Sequence, residues 1–344
     1  VSAAKNQNED APTSVVVACL DVLGPMRRPL VVGEGSGRLA AALAQGGAEP
    51  VNWMREMVPG ASGRVTAWPA SDSFDGAFIR LPKAKEAVAM ALHAAAARLP
   101  AGAPIVVFGG NREGMRSLDP LLGQVAGDTV TVAARHHSRV EAGARLAVIQ
   151  GLKGALADWR RVGEIAIDGV SRPWVSYPGT FAKGGLDDGT ELLIGHLPPL
   201  ASGVRVLDYA AGTGPVAAAI AGRAPGAAID MVDRDSLALA AARENVPGAT
   251  AIVGDRVGAL GDRRYELIVS NPPIHDGFIE SRTALDRLIA EAPQRLRVGG
   301  RFVIVVQRRI AVMAELTAAF GGATVLADNG RFTVVMAQRV PQSR

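Results

Sequence analysis

The sequence predicts an α/β protein of two tandem Rossmann-like, doubly wound sheets, the first a degenerate copy of the second. Three observations carry this. The second half alternates short Val- and Ile-rich runs with helical stretches. Four polar residues, Asp208, Asp233, Asp255 and Asn271, fall at the carboxyl ends of those runs. The first half repeats the same strands and turns with the polar groups replaced. Short apolar strands separated by helices read as a mostly parallel sheet covered on both faces.

In chain order, the second half gives strands at 204–210 (VRVLDYA), 228–233 (AIDMVD), 250–255 (TAIVGD), 265–271 (YELIVSN), 301–307 (RFVIVVQ) and 332–338 (FTVVMAQ). Helices are expected from about Pro215, over DSLALAAAREN, near 278–292 and near 310–320. Ligands on such sheets sit beyond the carboxyl ends of the strands, at the switch in strand order. In the first half, VVGEGSGRLAAALA (31–44) matches LDYAAGTGPVAAAIA (207–221), with Gly35 on Gly212 and Val31 on Asp208. FDGAFIRLPK (74–83) aligns without gaps on YELIVSNPPI (265–274), which sets Arg80 on Asn271. LPAGAPIVVFG (99–109) matches LRVGGRFVIVV (296–306). The expected organisation is a degenerate domain over 1–151, a joining segment over 152–177 and a chemically competent domain over 178–344.

The 344 residues suffice for two domains, and 48% hydrophobic content supplies their cores. No apolar run reaches the roughly 18 residues of a membrane span. The first stretch, VSAAKNQNEDAPTS, lacks a signal-peptide pattern. Cys19 is the sole cysteine, which rules out an internal disulfide and a cysteine-rich zinc site. A cytoplasmic, membrane-free protein without a metal is expected. Lys and Arg total 37 against 33 Asp and Glu, a net charge of +4. That suits a polyanionic partner such as RNA, but many small-molecule enzymes share it.

Gly212-x-Gly214-x-x-Ala217, with Asp233 about 20 residues on, fits a dinucleotide as well as S-adenosylmethionine. Two features favour the second. Asp208, four residues before Gly212, suits an ammonium group and would repel a pyrophosphate. The loop SNPPIHDG (270–277) carries two prolines that remove backbone donors and fix φ, so it presents Asn271 stiffly. A nicotinamide enzyme leaves both unexplained. Asp233 suits ribose hydroxyls and Asp255 an adenine amino group.

With these motifs in place, the chain resembles the class I S-adenosylmethionine-dependent methyltransferases. Within them it is similar to the bacterial guanine-N2 methyltransferases of 16S ribosomal RNA. The resemblance covers nearly the full length. Its carriers are PGTFAKGGLDDGTELLI (178–194), LDYAAGTG (207–214), SNPPIHDG, NGRFTVVMA (329–337), LPKAKEA (81–87) and FGGNREGMRS (108–117). It implies that Asn271 and Pro272 accept the two N–H bonds of the target amine while Pro273 stiffens the loop. It implies a cofactor site of Asp208, Ala210, Gly212, Gly214, Asp233 and Asp255, with Phe181, Asp187 and Thr190 folding over it. Ile274, His275, Arg308 and Arg309 are the candidate substrate contacts.

Three positions depart from the family pattern. Ala210 replaces a glycine, Ile274 an aromatic residue that would stack on the base, and QRRIAVM (307–313) an apolar stretch. Ile274 keeps other acceptors open: an adenine amine, a 23S guanine or a protein glutamine amide. Together with Ala210 it also leaves room for a catalytically weak RNA-binding assembly factor. ARHHSR (134–139), NREGMRS (111–117) and WRR (159–161) are the densest basic stretches available to RNA or an assembled small subunit. A tandem pair in one chain makes a monomer the expected state.

Overall fold

The computed structural model describes residues 11–58, 63–180, 185–272 and 279–341. The chain divides into two compact units, Val1–Arg160 and Arg161–Arg344. The first holds β1 (Pro29–Val32), β2 (Val51–Met54), β3 (Arg64–Val65), β4 (Gly76–Arg80), β5 (Pro104–Gly110), β6 (Ala126–Arg135) and β7 (Ser138–Arg145). The second opens with a hairpin, β8 (Arg161–Ile167) and β9 (Val170–Ser176). It continues with β10 (Arg205–Tyr209), β11 (Ala228–Asp233), β12 (Thr250–Val253), β13 (Tyr265–Ser270), β14 (Leu296–Gln307), β15 (Thr324–Asp328) and β16 (Phe332–Gln338). The stretch 152–177, expected as a joining segment, thus contains that hairpin.

The two main sheets have the same strand order. It is β3-β2-β1-β4-β5-β7-β6 in the first unit and β12-β11-β10-β13-β14-β16-β15 in the second. The first five strands of each are parallel and the last two antiparallel. Register is preserved as well. Val31 pairs with Phe78 as Asp208 pairs with Val269, and Val106 pairs with Phe78 as Val303 pairs with Val269. The three separate sequence matches are therefore one structural equivalence. The same register sets Met54 where the second unit has Asp233, since Val32 pairs with Trp53 as Tyr209 pairs with Val232.

Alternation along each strand fills two cores. In the second unit Val206, Leu267, Val269, Val303 and Val305 pack on one face of the sheet. Leu207, Ile268, Phe302, Ile304 and Val306 pack on the other. The first unit repeats this, with Leu30, Val32, Ile79 and Val107 on one face and Val31, Phe78, Val106 and Phe108 on the other. Among the described residues no helix is long and apolar enough to cross a membrane.

Strand bounds differ from the sequence expectation at several points, and β12 ends at Val253, not 255. β14 begins at Leu296, not 301. β15 is an additional edge strand, partly exposed along its length, so its residues lack the apolar pattern that marks the inner strands.

The hairpin is clasped to the rest of its unit by buried and half-buried polar contacts. Trp174 Nε1 donates to Thr213 Oγ1 at 3.0 Å. Asn245 accepts from Val175 N at 2.8 Å and donates to Val175 O at 2.9 Å and Thr213 O at 3.0 Å. Asn245→Ala removes three bonds at once and strands their backbone partners. A loss of about 2 kcal/mol is expected, read as a lowering of Tm by roughly 4–8 °C for a unit of this size.

Candidate functional site

β10 lies between β11 and β13, so strand order changes direction on either side of it. The turn after β10 and the segment after β13 therefore flank one crevice. It is lined by Gly185, Asp187, Thr190, Asp208, Ala210, Ala211, Gly212, Thr213, Pro215, Val216 and Asn271. Six of the sequence-predicted residues meet there: Asp187, Thr190, Asp208, Ala210, Gly212 and Asn271. Phe181, Pro273, Ile274 and His275 lie outside the described residues.

Asp208 is 1% exposed and accepts from Ala217 N at 3.0 Å. Burial pushes its carboxyl from the ordinary 3.8 up to about 8; the Ala217 N–H opposes that shift and the charge of Asp233 adds to it. Asp233 spans two backbone groups, accepting from Gly212 N and from Asp235 N, each at 2.8 Å. It braces the glycine turn from the neighbouring strand. Asp255 does not line the crevice; its backbone carbonyl accepts from Tyr209 Oη at 2.7 Å.

The glycines of the turn have different tasks. Gly212 has φ +55°, and a Cβ built there meets nothing within 4 Å. Its missing side chain leaves the crevice open. Gly214, expected as a cofactor contact, is not on the crevice wall. A Cβ there would crowd Val246 at 3.0 Å and the sulfur of Met231 at 3.3 Å, and a φ of +90° itself favours glycine. Pro215 opens the helix Pro215–Arg223, where its absent donor costs nothing. Ala210 has φ +59°, a left-handed conformation that disfavours a side chain.

Asp187 and Thr190 sit at the start of the helix Asp188–Gly195. Asp187 caps it, accepting from Gly189 N at 3.0 Å and Thr190 N at 3.2 Å. The Thr190 hydroxyl donates to the other Asp187 oxygen. Asn271 Nδ2 donates to Thr190 Oγ1 at 2.8 Å and lies 3.4 Å from both carboxylate oxygens of Asp187.

Arg308 and Arg309 are off the crevice. The helix expected from 310 begins at Met313, which leaves both in the turn after β14. Arg308 is mostly exposed and pairs with Asp328 at 3.4 Å. Arg309 donates to Gln307 Oε1 at 2.6 and 2.9 Å. Sequence reasoning missed Gly185, Ala211, Thr213, Pro215 and Val216 as wall residues. Closeness to the glycine turn signals the last four, and closeness to Asp187 signals Gly185.

The first unit keeps the backbone of this site and none of its groups. Val31 and Met54 replace Asp208 and Asp233 by register and are buried apolar side chains. Glu34 folds back to accept from Ser36 N at 2.7 Å. Arg80, at the Asn271 position, is held by Glu113 at 2.6 and 2.8 Å.

The methyltransferase small domain profile matches residues 173–336, and its N-terminal companion profile matches residues 50–142. The ribosomal RNA small subunit methyltransferase C of Shewanella sp. (strain MR-4) is 30% identical over 274 residues, covering 79% of each chain. That of Pectobacterium atrosepticum is 33% identical over 263 residues, covering 74% of this chain and 72% of its own. The fold is shared with the T. thermophilus 16S rRNA N2 G1207 methyltransferase, solved with AdoMet and guanosine. The TM-score is 0.80 at 23% identity, over 91% of this chain and 88% of that one.

Two predictions follow from the geometry. Asp208 ionises near 3.8 when unfolded and near 8 when folded. Below about pH 4 it is neutral in both states and carries no penalty; as pH rises to about 8 only the unfolded chain sheds the proton, and stability falls. In denaturant titrations Asp208→Asn should therefore gain on the wild type across that window; parallel curves would contradict the raised pKa. Ala210→Gly should relieve the left-handed turn, stabilising by about 1 kcal/mol and raising Tm by roughly 2–4 °C.

Proposed function

The chain belongs to the ribosomal RNA small subunit methyltransferase C family, and on that premise we propose how its site transfers a methyl group from S-adenosylmethionine to the exocyclic N2 of a guanine in 16S rRNA. The observation that carries the proposal is the position of Asn271. It shares one crevice with the buried carboxyl of Asp208 and the open turn at Gly212.

The crevice suits the cofactor on its own chemistry. A carboxyl pushed up to about 8 regains its charge beside an ammonium group. Gly212 lets a ligand approach the backbone. Asp233 and Asp255 are the proposed partners of the ribose and the adenine. Bound S-adenosylmethionine supplies an electrophilic methyl carbon. The protein's task is then to position the amine.

A guanine amino group is a weak nucleophile because its lone pair is delocalised into the ring. Asn271 Oδ1 and the Pro272 carbonyl accept its two N–H bonds, which favours a pyramidal nitrogen with its lone pair aimed at the methyl. Pro273 sets that geometry before binding. Positioning of this kind lowers the barrier without a strong base, since the methylated amine releases its proton readily. Ile274 and His275 are proposed to meet the base, and Arg308 and Arg309 to reach flanking phosphates.

A second basic region lies in the first unit. Asn111, Arg112, Arg116 and His137 line a hollow of about 530 Å³. Asn111 N donates to His137 O at 2.8 Å, so two of the basic stretches converge there. We assign it to the RNA backbone, whose phosphates pair with Lys and Arg. We propose a monomer acting in the cytoplasm on 16S rRNA, naked or within the assembled small subunit.

Labelled methyl transfer to 16S rRNA and to small subunits from a strain lacking the enzyme tests the proposal. N2-methylguanosine should appear with the wild type. Asn271→Ala should lower the rate by about a hundredfold or more while cofactor binding by calorimetry persists. Label on another nucleotide or on protein would overturn the acceptor.

A further inference from the structure

Asp187 and Thr190 line the crevice, but their hydrogen bonds point to a different task from holding the cofactor. We propose that they are positioning residues that lock the side-chain amide of Asn271 in one of its two flip states, oxygen toward the amine to be methylated. This rests on the reading of Asn271 as the acceptor of that amine.

The argument is one of proton accounting. The Asp187 carboxylate only accepts, and a hydroxyl has one proton to give. The Thr190 hydroxyl gives that proton to Asp187. Only its lone pairs then remain for Asn271, 2.8 Å away. The group facing it must be a donor, so it is the Asn271 NH2. The flipped amide would set oxygen against the Thr190 lone pairs and against two carboxylate oxygens now 3.4 Å from Nδ2. Both the lost bond and the oxygen–oxygen repulsion oppose it.

The consequence is functional. An Asn amide has nearly the same shape in either flip state, yet only one presents an acceptor to an N–H bond. The other presents a second NH2 to the substrate's NH2. Without a lock, part of the enzyme would hold Asn271 the wrong way round at the moment of transfer. The lock is itself anchored. Asp187 cannot turn away while it caps the helix Asp188–Gly195 through Gly189 N and Thr190 N, and Thr190 is 4% exposed. A short stretch on that helix therefore orients a side chain that follows β13 far along the chain.

The test uses the full chain, saturating S-adenosylmethionine and small subunits from a strain lacking the enzyme. Thr190→Val keeps the shape and removes the hydroxyl. It should lower the single-turnover rate about tenfold to a hundredfold, with the calorimetric Kd for S-adenosylmethionine changed by no more than about twofold. Thr190→Ser should restore most of the rate. Thr190→Val should add nothing to Asn271→Ala, because the residue it orients is gone. Asp187→Asn keeps a good cap but no longer only accepts, so it should slow transfer without weakening cofactor binding. Weakened cofactor binding in Thr190→Val would make it a cofactor contact and overturn the lock. So would a serine variant as slow as the valine one, or additive losses in the double variant. If Asn271→Ala is slow but Thr190→Val is as fast as wild type, the lock alone fails. If Asn271→Ala itself transfers at the wild-type rate, the reading beneath it fails and the lock falls with it.

Discussion

The parallel pairing of β10 with β13 is the constraint on which the site depends. These strands are distant in sequence, and between them the chain builds the outer strands β11 and β12. Their pairing brings the glycine turn and Asn271 to the same edge of the sheet. The pairing comes from Val206, Leu207, Leu267, Ile268 and Val269, which bury apolar surface on both faces. Core and chemistry are separate along each strand, with the middle residues supplying stability and the residues at or just past the carboxyl end lining the site.

That separation explains how two copies with the same register differ so completely at their ends. The first unit keeps its apolar alternation and its strand order, so it keeps its fold. Val31, Met54 and Arg80 stand in the places of Asp208, Asp233 and Asn271 without disturbing the backbone. The substitutions are compatible with stability because they relieve it. Val31 is a buried apolar residue where the second unit buries a carboxyl, and Arg80 finds a partner in Glu113. The first unit is the same fold without the carboxyl and amide groups that line the crevice of the second.

The second unit carries the opposite bias. Asp208 is kept in a place where burial opposes its charge, and Ala210 is kept in a conformation that favours glycine. Strain and desolvation concentrated at one edge of a well-packed sheet are what a binding site requires, since a ligand can relieve them. The polar braces lie immediately behind this edge. Asp233 holds Gly212 N, Asn245 and Trp174 hold Thr213, and Asp187 with Thr190 holds Asn271. The hairpin β8–β9 and the helix Asp188–Gly195 thus serve the site without belonging to the sheet.

The fold class, the tandem repeat and the residues at the carboxyl ends of the inner strands are legible in the amino-acid sequence. Apolar runs and glycine turns are local signals that a strand cannot be built without. The sequence also points to Asp187 and Thr190, but as contacts of a ligand. What each residue touches is set by the folded arrangement. It set the side chains of Val246 and Met231, which come from other elements, against Gly214. It showed Arg308 and Arg309 paired with Asp328 and Gln307 away from the crevice. It found the clasp of Asn245 and the proton order from Thr190 to Asp187. Hydrogen bonds between distant segments leave no periodicity in the chain, since one donor and one acceptor suffice and many residue types provide them. Burial patterns repeat along a strand and can be read, whereas single polar contacts across the fold have to be seen.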